Sequence, residues 1–232
     1  PDYAAAGAGG PVPGGHRITA AQADASNLIP FMAGDTASHA VGGLIFSSLL
    51  RYDRQLQLTG DLARDWEVRN GGHTLVFHLR EGLRFADGEP LTSADVAFTW
   101  RTVTAPDTRT PYGKQYRRVA RVETPDPHTF IAHYDEPYAP ALSTWASLAI
   151  VPEHRLADAD IDKTPFARDP VGSGPYQLER WQAGQSITLL GSCPMSSIRL
   201  AYVVALAEKR GVDLKDVHGS VTEYPFCNVF GQ

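Results

Sequence analysis

Among the side chains of this protein, the eight histidines are the type best suited to catalysis or metal binding. His73 and His78 lie five apart around the start of a candidate strand, and His128 and His133 repeat that spacing. Successive side chains of an extended segment alternate between faces, so an odd separation sends the two rings to opposite sides. A catalytic zinc needs three converging ligands, and neither H-E-x-x-H nor C-x-x-C occurs. No metal and no cofactor is therefore expected. Ser173, within Gly172-Ser173-Gly174-Pro175, is the nucleophile that a hydrolase reading would pair with a histidine such as His78. Nucleophile elbows and phosphate loops demand fixed spacing ahead of a helix, whereas Pro175 favours an extended exit. The expectation is a backbone crossing and no catalytic residue. Cys193 and Cys227 both fall in the last fifth of the chain. An oxidising compartment would let them pair; two separate thiols is the alternative.

The elements that must position any site follow from periodicity. Arg17–Ala20 reads as a short strand, and Val41, Leu44, Ile45 and Leu49 form one face of a helix over Ser38–Leu50. Trp66–Arg69 and Thr74–Leu79 alternate with period two around Asn70-Gly71-Gly72, residues that tolerate the positive φ of a tight hairpin. On that pattern Leu75, Phe77 and Leu79 share one sheet face, with Thr74, Val76 and His78 on the other. Thr92-Ser93-Ala94-Asp95 carries an N-cap with an acid at N3. Val96, Trp100 and Val103 continue that helix until Pro106. Residues 104–118 form a polar loop with two tyrosines. Strands are expected at 119–124 and 129–134 around Pro125-Asp126-Pro127, then at 177–180 and 185–190.

The chain has 232 residues, of which 43% are hydrophobic and 20% charged, enough for a sizeable core. Its net charge of −5, with both signs mixed along the chain, excludes a general nucleic-acid binder, which needs a basic footprint. No apolar run reaches the roughly 20 residues of a membrane span. Residues 1–15, rich in Ala, Gly and Pro, read as a flexible tether or a cloning remnant. No basic or apolar leader region precedes them, so the expectation is a removed leader or a fragment.

The stretch WEVRNGGHTLVFHLREGLRFADGEPLTSADVAFTW, residues 66–100, resembles the signature of the bacterial extracellular solute-binding proteins of the peptide/nickel ABC importer family. Leu58–Ala63 resembles the approach to the family's first strand, and Asp169–Tyr176 (DPVGSGPY) its N-P-V-G-T-G-P-Y segment. The resemblance spans about residues 16–191. It implies a mixed α/β fold of the periplasmic-binding-protein type, with a small α+β domain inserted in the first lobe. Residues 16–50 and 150–191 would belong to that lobe, and 51–149 to the insertion. It also implies a non-enzymatic receptor that takes a peptide or other small solute in a cleft between lobes. The receptor works in the periplasm or anchored at the outer face of the cytoplasmic membrane, and passes the solute to permease subunits.

By the same resemblance, contacts from this part of the chain come from two loops: Met32, Gly34, Asp35 and Thr36, then Tyr112 and Tyr116. A tyrosine suits such a wall, with an apolar ring and a hydroxyl able to bond the ligand. Trp66, Phe77, Phe85 and Trp100 are signature residues expected in the core. After Gly191 the family pattern stops, and the expectation is a second lobe missing from this chain. Residues 192–232 read instead as a helical tail with a helix over 197–210, and the stretch 196–221 resembles part of the cobalamin-dependent acyl-CoA mutase catalytic subunit but has no cofactor motif. An aberrantly joined, inactive fragment is the alternative.

Overall fold

The computed structural model describes residues 15–18, 24–182 and 186–191. The 1–14 stretch of the tether, the tail helix at 197–210 and both cysteines lie outside the described residues. In chain order the elements are β1 (Gly15–Ile18), α1 (Thr36–Ile45), β2 (Leu50–Tyr52), β3 (Leu58–Gly60), β4 (Ala63–Arg69), β5 (Thr74–Leu79) and α2 (Ser93–Thr104). They continue as α3 (Gly113–Tyr116), β6 (Val119–Asp126), β7 (Thr129–Tyr134), α4 (Ala141–Ser147), α5 (Glu153–Leu156), β8 (Tyr176–Gln182) and β9 (Ser186–Gly191).

Two compact units divide the chain. One joins residues 1–24 to 175–232, and its described part is a three-stranded antiparallel sheet in the order β1-β9-β8. Trp181 Nε1 donates to Asp24 Oδ1 at 3.1 Å within it.

The other unit, Ala25–Gly174, is built on a four-stranded antiparallel sheet in the order β4-β5-β7-β6. The β4–β5 turn is a short 3-10 segment with positive φ at Asn70, Gly71 and Gly72, as the Asn-Gly pattern requires. Phe77 and Phe130 stand opposite each other on neighbouring strands, and Trp145 of α4 packs edge-on to both, with ring centroids 5.8 and 5.0 Å away. Trp145 is fully buried, yet its indole N–H is satisfied by Tyr134 Oη at 2.9 Å. Helix α2 starts with a complete capping box: Thr92 accepts from Ala94 N, and Asp95 Oδ2 accepts from Thr92 N at 2.9 Å. The second oxygen of Asp95 accepts from Glu153 N at 3.0 Å, tying α2 to the start of α5.

Several expectations shift. Helix α1 ends at Ile45 because Phe46 is already extended; Leu49 is buried outside the helix, next to the Ser48–Ala149 bridge. Strand β5 is buried on both faces, with Val76 at 2% exposure and Thr74 at 7%. The row Glu67–Val76–Ile131–Glu123 runs across all four strands. At the two ends of this row Arg69 pairs with Glu67 and Arg121 with Glu123. Phe77 and Phe85 are core residues as expected, while Trp66 and Trp100 are half-buried, the latter donating from Nε1 to Tyr116 O.

The Gly172–Gly174 segment runs against the C-terminal end of α1. Gly174 N donates to Ile45 O at 2.7 Å, and Gly172 O accepts from Ala86 N at 2.9 Å. A β-carbon at Gly172 would collide with the Ile45 carbonyl, so the glycines permit a backbone crossing.

Candidate functional site

The two loops singled out by resemblance are brought together, both within the Ala25–Gly174 unit. The first begins with a turn in which Asn27 Oδ1 accepts from Ile29 N at 2.8 Å and Ile29 O accepts from Met32 N and Ala33 N. The second, following α2, reaches across to it. Thr110 Oγ1 donates to Phe31 O at 2.5 Å, and Tyr112 Oη lies 3.3 Å from Ala33 O and 2.7 Å from His39 Nε2. Thr110 also accepts from Tyr112 N at 3.1 Å, so one residue fixes both the loop and its partner strand of backbone.

The six residues divide by what they already do. Gly34 and Thr36 are exposed, and nothing lies within 4 Å of where a Gly34 β-carbon would stand. Met32 and Tyr112 are half-buried at the same rim. Asp35 is the N-cap of α1. Its Oδ1 accepts from Ser38 N at 2.7 Å, and its Oδ2 from Ser26 Oγ at 2.5 Å and Ser38 Oγ at 2.6 Å. Burial pushes this carboxyl upward, but the combined hydrogen bonds from Ser26 and Ser38 outweigh it and hold the group far below the usual carboxylate range. Tyr116 is a core residue at 2% exposure, its ring beside Trp145 and its hydroxyl 3.4 Å from Thr144 O. Burial raises its phenol to about 12. The single turn of α3 explains this: it rotates Tyr116 inward, whereas Tyr112, just before the turn, stays at the rim.

Sequence reasoning did not pick out His39, Thr110, Ser26 or Ser38, which assemble this rim. An Asp directly ahead of the apolar period would have identified Asp35 as a helix cap. The bonds of Thr110 and His39 join residues 79 and 73 positions apart, and no local pattern signals them.

Among the described residues no histidine hydrogen-bonds Ser173. His78 Nε2 lies 3.2 Å from Glu67 Oε1, and His133 Nε2 lies 3.1 Å from Glu123 Oε1 without hydrogen-bond alignment. Ser173 Oγ is buried and has no hydrogen-bond partner among the described residues, so no base activates it there.

This mixed α/β arrangement recurs in solved solute-binding proteins. The oligopeptide-binding protein AppA of Bacillus subtilis, solved with a nonapeptide, superposes with a TM-score of 0.68 at 22% identity, over 82% of this chain and 41% of that one. The binding protein AgaA of A. tumefaciens R10, solved with agropinic acid, gives 0.67 at 28% identity, over 72% and 34%. The fold is therefore that of the periplasmic binding proteins. The model of the bacterial extracellular solute-binding proteins, family 5 Middle, matches residues 57–190, and the chain belongs to that family. Protein XP55 of Streptomyces lividans is 38% identical over 144 residues, 62% of this chain and 26% of that protein. AppA of B. subtilis is 30% identical over 190 residues, 78% and 34%. The chain thus spans about a quarter to a third of the length of these curated relatives. No helix among the described residues is long and apolar enough to cross a membrane.

Proposed function

We propose that this polypeptide furnishes one wall of the solute-capture cleft of an ABC importer's receptor, a binding function without catalysis. The observation that carries the reading is the family match over residues 57–190. The rim formed by Met32, Gly34, Thr36 and Tyr112 is the surface offered to the solute. Asp35 and Tyr116 support it from behind, one by capping α1 and the other by filling the core. Peptide is the first solute to test, because AppA was solved with a nonapeptide. The receptor works in the periplasm or held at the outer face of the cytoplasmic membrane, and its protein partner is the permease.

Enclosing a solute takes polar groups from opposite sides, since a one-sided contact leaves it in water. Residues 1–232 alone should therefore bind a mixed tripeptide pool more weakly than micromolar in isothermal titration; micromolar binding would overturn the two-wall reading. Photocrosslinking tolerates weak binding and locates the wall. A benzophenone amino acid placed at Thr36 should capture peptide, whereas one at Val68, 55% exposed on β4, should not. Equal capture at both positions rules out the rim as the solute surface.

A further inference from the structure

The phenol of Tyr112 has one proton and two neighbours, and only one of them can receive it in either arrangement. Ala33 O, 3.3 Å away, is a carbonyl and can only accept. His39 Nε2, 2.7 Å away, can donate or accept according to which ring nitrogen holds its proton. Both contacts are satisfied together in a single way: the phenol donates to Ala33 O, and His39 Nε2–H donates to the phenol oxygen. The alternative, phenol to Nε2, leaves the Ala33 contact without a proton. The imidazole stands edge-on to the phenol ring, with centroids 5.8 Å apart at 75°, and His39 is exposed on α1.

We propose that His39 is the positioning residue of Tyr112: its Nε2–H locks the phenol as a donor to Ala33. With Nε2 carrying the proton, the hydrogen-bonding capacity left on the pair is that of acceptors, the remaining phenol lone pair and His39 Nδ1. Such a rim suits a solute that brings N–H donors, an amide or an ammonium group, and disfavours one that brings a bare carboxylate. The choice of solute rests on the wall reading above; the donor assignment does not.

The test therefore uses the full chain with no solute, so that failure of the wall reading and failure of this assignment are told apart. The Tyr112 Cζ resonance, identified by its loss in Tyr112→Phe, reports hydrogen bonding at the phenol oxygen and is read at one fixed pH for every variant. His39→Gln supplies an N–H donor, His39→Glu only acceptors, and His39→Leu neither. The resonance should stay at its wild-type position in the Gln variant and shift in both the Glu and Leu variants. An unmoved resonance in His39→Leu, or a Glu variant that behaves like Gln, overturns the assignment. Tyr112→Phe gives an independent reading: the His39 ring nitrogen resonances should shift when the phenol is lost, and unchanged resonances would count equally against the proposal.

Discussion

Asp35 lies in the loop that resemblance assigns to the solute, yet its oxygens are occupied by the protein's own groups, and replacing it tests which role dominates. In Asp35→Ala, α1 loses its cap bond to Ser38 N, a change that costs about 1 kcal/mol at typical N-caps. Ser26 Oγ and Ser38 Oγ also lose their acceptor. Ser38 is 1% exposed and its oxygen already accepts from Ser26 N and Asn27 N, so its hydroxyl proton has no ready substitute for the carboxylate. A buried hydroxyl left without its partner costs about 1–3 kcal/mol. The sum is about 2–4 kcal/mol, read as a lower midpoint in urea unfolding followed by circular dichroism at pH 7. Asp35→Asn keeps the cap but offers N–H in place of one acceptor, and should lose about half as much. The pH dependence follows from the lowered carboxyl. The unfolded chain takes up the proton near the ordinary value of about 3.9 while the folded chain resists it. The stabilisation is therefore complete above that range and is lost as pH falls through the folded value. Because Asp35 is only half-buried, the excess slope of wild type over Asp35→Asn should be a fraction of about 1.4 kcal/mol per pH unit below pH 4. An Asp35→Ala protein within about 0.5 kcal/mol of wild type, with an unchanged acid profile, would refute the capping account.

Three further outcomes follow from packing. Gly172→Ala should lower stability by at least about 2 kcal/mol in the same urea assay, since the new methyl meets the Ile45 carbonyl, a backbone atom with no rotamer to escape into. Trp145→Ala should cost about 3–5 kcal/mol, because it empties the centre of the Phe77–Phe130 cluster and strands the Tyr134 hydroxyl; a calorimetric loss under 1 kcal/mol would argue against that cluster as the core. Thr92→Ala should remove about 1 kcal/mol by breaking the capping box of α2, and a neutral result would place the start of that helix elsewhere.

The sequence by itself determined the local pieces and the family. The β4–β5 hairpin, its Asn-Gly-Gly turn and the Thr92–Asp95 capping box are short-range features, where partners within a few residues decide the conformation. Their order along the chain is what the family match over residues 57–190 reflects. Tertiary structure alone decided which of those residues remain available for binding. Tyr112 and Tyr116 look alike in sequence, but one turn of helix buries the second against Trp145 and leaves the first at the rim beside His39. Val76 falls on the β5 face opposite Phe77, yet it is as deeply buried, standing between Glu67 and Ile131 in the sheet. Burial is a property of where distant segments meet, and no period of two or 3.6 records which segments those are.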